Sequence, residues 1–262
     1  MNIILVGAGN VATHIGRALL SAGQRPLQVW SRTLESAETL AEELGCEAVD
    51  DIDLLLADAD MYVISVKDIA LREVAQGLCR HQPKGIIVHT AGTMQMDVFG
   101  GRSHGCGVLY PMQTFSKHKQ LEFKKIPCFV EASDEATLMK IKTIASMLSD
   151  VVIELDGADR KWLHLAAVFA CNFSNACYTM AAEILKEHGL DFAVMRPLIE
   201  ETTRKLGVMT PCEAQTGPAA RGDRNVMSCQ SELLAGHKDL QDIYNIMSEY
   251  ILSKRKTDSF CD

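Results

Sequence analysis

Several polar side chains in the second half of the chain have types and spacings that suit proton transfer. They recur at intervals of 3, 8, 3, 4 and 4 residues and comprise Lys161, His164, Asn172, Asn175, Thr179 and Glu183. At about 3.6 residues per turn, these positions fall in one narrow stripe of a helix. His164 is the strongest proton donor or acceptor among them, because an unperturbed imidazole titrates near neutrality. Lys161 and Asn172 are the other catalytic candidates.

Residues 158–188, which carry this stripe, are predicted to form one long helix. The segment is apolar nearly all round, so the helix is expected to be buried, and buried polar groups need partners. Two arrangements remain open, an active-site cleft against a sheet edge and a satisfied network in an oligomer interface. The cleft is favoured for Lys161, His164 and Asn172, and the interface for Thr179 and Glu183.

A second chemical motif lies at the start of the chain. Ile3 to Val6 form a short apolar run that ends in the glycine pattern GAGNVA at residues 7–12, and apolar residues then recur at helical spacing. This order of strand, glycine turn and helix is typical of a dinucleotide-binding site. Gly7 would allow the tight turn, and Gly9 would let a pyrophosphate approach the backbone. Asn10 and Val11, at the helix N-terminus, would complete the phosphate site.

The residues after the second predicted strand, 27–30, indicate which dinucleotide binds. An NAD site usually places an acidic residue there to hold the ribose 2′-hydroxyl, whereas this chain has Ser31, Arg32 and Thr33. A guanidinium and two hydroxyls suit a 2′-phosphate, so the sequence predicts NADP. The alternative is an exposed arginine next to a residue that caps the following helix.

Further candidates follow the predicted strands 61–66, 86–89 and 106–109, whose carboxyl ends should share one sheet edge. Val66 and Lys67 would flank the nicotinamide ribose, and Thr90 and Ala91 begin a loop of small residues that would admit the cofactor. His89 either donates to a substrate or is a buried strand residue bonded to backbone. The remaining substrate-binding candidates are Asn175 on the predicted long helix and, in two loops, Gln113, Arg221 and Asp223.

Strands and helices alternate up to residue 155, after which no strand pattern returns. We therefore predict an α/β fold with a mostly parallel sheet at residues 1–155 and a helical substrate domain at 156–262. The net charge of −8 disfavours a nucleic-acid partner. Without CxxC or His-rich pairing we expect no metal site, and without a signal peptide or membrane span we expect a cytoplasmic protein.

Taken together, these motifs resemble a known family. They are GAGNVA at 7–12, SRT at 31–33, HTAGT at 89–93, YPMQTFS at 110–116, HLAAVFACNFSN at 164–175 and TGPAARGD at 216–223. The chain resembles the Rossmann-like NADP oxidoreductases with a C-terminal domain of unknown function, DUF2520. That family belongs to the superfamily of 6-phosphogluconate dehydrogenase-like and pyrroline-5-carboxylate reductase-like proteins. The resemblance implies an all-helical C-terminal domain and a homodimer built on its helices.

The sequence departs from the superfamily at one chemical position. The hydroxyacid dehydrogenases that it resembles place an asparagine four residues after a catalytic lysine, whereas Leu165 follows Lys161 at that spacing. This difference favours His164 over Lys161 for proton transfer. The expected activity is NADP(H)-dependent oxidation or reduction of a small, anionic carbonyl, hydroxy or imino compound. The alternative is a non-enzymatic NADP(H)-binding sensor or scaffold.

Overall fold

The computed structural model describes residues 1–102 and 105–254. An eight-stranded sheet dominates the first part of the chain, in the order β3-β2-β1-β4-β5-β6-β7-β8. Its strands are β1 Ile3–Val6, β2 Gln28–Trp30, β3 Glu47–Val49, β4 Met61–Ile64, β5 Ile86–His89, β6 Cys106–Pro111, β7 Cys128–Ala132 and β8 Val152–Glu154. The first six strands are parallel, β7 is antiparallel to β6, and β8 is parallel to β7. The predicted α/β fold with a mostly parallel sheet is therefore confirmed.

Ten α-helices accompany these strands in the described ranges. They are α1 Asn10–Ser21, α2 Leu34–Leu44, α3 Asp68–Arg80, α4 Glu135–Leu148, α5 Gly157–Ala167, α6 Ser174–Glu187, α7 Arg196–Lys205, α8 Pro218–Arg221, α9 Arg224–Leu233 and α10 Lys238–Lys254. Apolar side chains on the two faces of the sheet form separate cores. One includes Leu5, Ile15 and Leu44, and the other includes Ile4, Tyr62 and Leu71. The first strand is fully buried on both sides, as its unbroken apolar run predicts.

The chain divides into two compact units, residues 1–171 and 172–262. The division falls within the long helical segment, later than the predicted boundary after residue 155, which stays a prediction. The first unit contains the sheet and the whole of α5. In the described part of the second unit, the buried apolar cluster consists of Ala219, Met227 and Leu252.

The helix predicted over 158–188 differs from the prediction in two ways: part of it is not α-helical, and it is not buried. A π-helical segment, Val168–Phe173, joins α5 to α6. A π-helical segment does not have 3.6 residues per turn, so the spacing that predicted one continuous stripe does not hold through residues 168–173. The helix is also not buried, since Trp162 is 72% exposed and Phe169 is 62% exposed. Apolar composition predicts a buried helix only where another element covers it.

Two strand ends also differ from the predicted ones. Strand β4 ends at Ile64, so Ser65 and Val66 already belong to the sheet edge, while β6 continues through Tyr110 to Pro111. Pro197 lies in the first turn of α7, where proline is well tolerated. Cys212 is disulfide-bonded. None of the helices among the described residues is long and apolar enough to cross a membrane.

Candidate functional site

The glycine turn after β1 forms an open cradle at the start of α1. Gly7 has a φ of +127°, and an added Cβ there would collide with the carbonyl oxygen of Ser65. At Gly9 a Cβ would meet no atom nearer than the Ser65 carbonyl oxygen, 3.9 Å away, so among the described residues it would fill open space in front of the helix. No described side chain caps this helix, and its first turn has no acidic residue. The cradle therefore fits an anionic group such as a pyrophosphate.

This cradle is one wall of a cavity of about 840 Å³. Of the predicted cofactor residues, seven line it, namely Gly7, Gly9, Ser31, Arg32, Thr33, Val66 and Lys67. Arg32 is exposed, and in the described part of the chain no hydrogen bond or ion pair occupies its guanidinium group. Three carboxylates that were not predicted for this site, Asp51, Asp53 and Glu73, also line the cavity.

The other predicted cofactor residues lie near the cavity but are not part of its lining. Asn10 and Val11 begin α1, and the Asn10 side chain donates to the carbonyl oxygen of Phe115 at 3.0 Å. The buried Thr90 hydroxyl donates to the Ile64 carbonyl oxygen at 3.3 Å and also lies 3.2 Å from the Ser65 hydroxyl. Thr90 thereby fixes the end of β5 against the end of β4, and Ala91 follows it in the loop.

His89 is fully buried at the end of β5, with 0% of its surface exposed. The Ala91 N–H donates to His89 Nδ1 over 3.2 Å. Burial, together with the nearby charge of Arg160, lowers the pKa of His89 to about 3, so the ring is neutral. This contact and the complete burial of the ring favour the alternative in which His89 is a buried strand residue bonded to backbone.

The loop after β6 binds to α1. Besides the Asn10 contact with Phe115, a ring nitrogen of His14 lies 3.0 Å from the Ser116 carbonyl oxygen, and Arg17 donates to the Lys117 carbonyl oxygen at 2.7 Å. Gln113, predicted to bind substrate, is exposed, and its side-chain oxygen accepts from the Thr114 N–H at 2.8 Å. The loop thus follows one face of the helix that starts at the glycine cradle.

His164 lies further along the same sheet edge, beside β5 and β6. It is half-buried on α5, and its Nδ1 is 3.0 Å from the hydroxyl of Tyr110 on β6. Both side chains pack against Gly92 in the loop after β5. An added Cβ there would lie 2.5 Å from His164 Nδ1 and 2.9 Å from Tyr110 Cζ. His164, the favoured catalytic candidate, therefore packs directly against the small-residue loop at the carboxyl end of β5.

Arg160, one turn before His164, anchors α5 to the sheet. Its side chain is 1% exposed, forms an ion pair with Glu131 on β7, and donates to the Met94 carbonyl oxygen at 2.7 Å. Burial raises the pKa of the Tyr110 hydroxyl, and the charge of Arg160 opposes that effect. A single buried cation thus links the helix of His164 to the loop of Gly92.

The other predicted site residues are described within their own units. Lys161 is exposed on α5. Asn172 and Asn175 lie in the second unit, at the end of the π-helical segment and the start of α6. Arg221 ends the short helix α8, and Asp223 caps α9 by accepting from the Val226 N–H at 3.2 Å. Their roles in substrate binding or catalysis stay predictions.

Sequence reasoning missed three residues of the His164 cluster: Tyr110, Arg160 and Gly92. The i,i+4 spacing of Arg160 and His164 could have placed both on one helix face. Tyr110 could not have been paired with His164 in this way, because the contact joins residues 54 positions apart. Among the described residues no group of three or more His, Cys, Asp or Glu could hold a metal ion.

Two family models match this chain. Residues 2–92 match the model described as NADP oxidoreductase coenzyme F420-dependent, and residues 126–251 match the domain of unknown function DUF2520. Glutamyl-tRNA reductase of Pseudomonas putida is 42% identical over 64 residues, 24% of this chain and 15% of that enzyme. The chain thus spans a small part of the length of the curated relatives that it matches.

Among solved structures, the protein described as "putative NADP oxidoreductase BF3122 from Bacteroides fragilis" is 45% identical to this chain. The match covers 96% of this chain and 98% of that one, with a TM-score of 0.91. An imine reductase from Myxococcus stipitatus in complex with NADP+ is 14% identical over 100% of this chain and 96% of its own, with a TM-score of 0.72. That second likeness shows the fold alone. The chain belongs to the family of NADP oxidoreductases that carry a C-terminal DUF2520 domain.

Proposed function

We propose that this protein uses NADPH to reduce, or NADP+ to oxidise, a small anionic carbonyl, hydroxy or imino compound. The observation that carries the proposal is the cavity of about 840 Å³, in which the open helix N-terminus and Arg32 line the same space. Such a site offers backbone donors for a pyrophosphate and a cation for a further phosphate. Family membership supports the same class of chemistry.

The preference for NADP over NAD rests on the charges around the second strand. No acidic residue directly follows β2, and Arg32 has a guanidinium that no protein group in the described part of the chain holds. Lys67 and Arg80 add two further cations to the cavity lining, and Glu73 on α3 adds a carboxylate. Asp51 and Asp53 also line the cavity but follow β3, so they do not replace the acid that an NAD site has after β2.

The proposed acid–base residue is His164. The bound cofactor supplies or accepts the hydride, and the protein must hold the substrate and move one proton at its heteroatom. His164 has a ring nitrogen for that proton. Its side chain packs against the Gly92 loop, at the sheet edge where ligands of this fold bind. Gln113 and Asn172 would orient the substrate, and Arg221 would bind its anionic group.

A substrate panel tests this proposal directly. We expect purified protein to oxidise NADPH when it is supplied with at least one small carbonyl or imino acid. His164→Gln should lower the turnover number by about 10²- to 10⁴-fold, the range for a lost general acid, while NADPH affinity stays unchanged. His188→Gln, an exposed histidine at the end of α6, is the matched control. NADPH binding without turnover of any compound would favour the sensor or scaffold alternative.

The surface of the second unit supports the predicted homodimer. Its large apolar side chains are exposed along several helices, among them Val194, Leu198, Leu233, Ile246 and Tyr250. A buried cluster of Ala219, Met227 and Leu252 is small for a unit of this length. A second copy of the chain, covering these helices, would supply the missing burial.

Sedimentation equilibrium tests this assembly. A dimer should have twice the chain mass of 28.8 kDa, and Leu198→Glu should shift it toward the monomer. A wild-type protein that sediments at the chain mass would contradict the dimer. The cytoplasmic location and the lack of a nucleic-acid partner stay predictions.

A further inference from the structure

The buried Tyr110 hydroxyl has a restricted set of hydrogen-bond partners. Tyr110 is 9% exposed and packs beside Phe129, with ring centroids 6.3 Å apart. In the described part of the chain, its hydroxyl makes one hydrogen bond, to His164 Nδ1. The nearby cation Arg160 has donors and no acceptor, so it cannot accept the phenol proton.

This restriction decides which nitrogen of His164 carries the proton. A neutral imidazole has one N–H donor and one acceptor nitrogen. If Nδ1 carried the proton, it would donate to the Tyr110 oxygen, and the phenol O–H of this 9% exposed residue would lose its one hydrogen-bond acceptor among the described residues, which is costly. If Tyr110 donates to Nδ1, the buried hydroxyl and Nδ1 are both satisfied, and the imidazole proton is on Nε2.

We infer that Tyr110 is a positioning residue that holds neutral His164 in the tautomer with its proton on Nε2. His164 then gives its proton to the substrate heteroatom from Nε2, or takes one there in the opposite direction, while Nδ1 remains bonded to Tyr110. The inference rests on the proposed function of His164 as acid or base, and it names the atom that performs that function.

Two neighbouring contacts restrict the ring's freedom to turn over. Gly92 lies so close that an added Cβ would be 2.5 Å from Nδ1, so this side of the ring has no spare room. Arg160, one turn earlier on α5, donates to the Met94 carbonyl oxygen in the same loop and pairs with Glu131. The helix and the loop therefore keep Nδ1 directed at the Tyr110 hydroxyl.

Histidine side-chain NMR on the full-length protein tests the inference without any substrate. Long-range ¹H–¹⁵N spectra separate protonated from unprotonated ring nitrogens, and the His164→Gln spectrum identifies the His164 signals. The measurement is made about two units above the ordinary histidine pKa of roughly 6.5. We expect wild-type His164 to have a protonated Nε2 and an unprotonated Nδ1. In Tyr110→Phe, which keeps the ring, the Nδ1–H form should become detectable.

Tyr62→Phe is the matched control, because Tyr62 is also buried and its hydroxyl donates to the Leu56 carbonyl oxygen away from α5. Its His164 signals should equal those of the wild type. A protonated Nδ1 in wild-type His164 would overturn the inference, even if Tyr110→Phe failed to fold. So would an unchanged tautomer in folded Tyr110→Phe. Loss of the proposed function is a separate result, since it appears as absent NADPH turnover and leaves the tautomer unaffected.

Discussion

The Tyr110 hydroxyl lies 3.0 Å from His164 Nδ1, although 54 positions separate the two residues in the chain. The contact joins β6 to α5 beside the loop that follows β5. It places a titratable side chain at the carboxyl edge of the parallel strands, where ligands of this fold bind. The pair is assembled entirely within the first compact unit.

Gly92→Ala should disturb this pair directly. The new methyl group would lie 2.5 Å from His164 Nδ1 and 2.9 Å from Tyr110 Cζ, so the rings must move. A displacement of about 1 Å can cost roughly 100-fold in rate, and we expect a loss of that order in kcat. Gly236→Ala, where a Cβ would meet no described atom within 4 Å, is the control. Wild-type kcat in folded Gly92→Ala would contradict the assigned role of the pair.

Arg160→Met should destabilise the protein strongly. Removal of the guanidinium leaves the partly buried Glu131 without its ion-pair partner and the Met94 carbonyl oxygen without its donor. Breaking a buried pair on one side typically costs about 3–5 kcal/mol in the free energy of unfolding. The double variant Arg160→Met, Glu131→Gln should recover part of that loss because no lone charge remains. Urea unfolding measures both, and a double variant less stable than the single one would exclude this explanation.

Lowering the pH should reduce the free energy of unfolding because of His89. Its pKa is lowered to about 3, mainly by burial, whereas an unfolded histidine titrates near roughly 6.5. Between these values the unfolded chain binds a proton that the folded chain does not. The contribution of His89 to the free energy of unfolding is therefore fully present above the pKa of histidine in the unfolded chain. It is lost as the pH falls, by up to about 1.4 kcal/mol per pH unit.

Urea unfolding at about pH 7 and about pH 5 measures this dependence. His89→Gln should reduce the loss between the two pH values by roughly 2 kcal/mol, and the exposed His118→Gln should leave it unchanged. An equal loss in His89→Gln and wild type would show that His89 is not the group responsible.

Local patterns in the sequence were sufficient to predict most of the first unit. The apolar run Ile3 to Val6, the GAGNVA turn and the lack of an acid directly after β2 each act over a few residues. They predicted the strand, the cradle and the residues around the cavity, because backbone geometry and glycine spacing are local constraints.

The His164 cluster could not be predicted as fully, because its contacts join distant strands. Tyr110 belongs to β6, Arg160 pairs with Glu131 on β7, and Gly92 follows β5. The long helix shows a different limit. The prediction of a single polar stripe assumed 3.6 residues per turn throughout. This does not hold in the π-helical segment Val168–Phe173. The apolar composition of residues 158–188 predicted a buried helix, whereas Trp162 and Phe169 are mostly exposed.

The most direct test of the central claim is a fluorescence titration of the purified protein with NADPH and NADH. We expect tighter binding of NADPH, and we expect Arg32→Ala to weaken NADPH binding by about 10- to 100-fold, the value of a charge-assisted contact. NADH binding should not change in that variant, and Arg25→Ala, outside the cavity lining, should behave as wild type. Equal affinity for both cofactors, unaffected by Arg32→Ala, would contradict the NADP assignment. Binding of neither would contradict the oxidoreductase proposal itself.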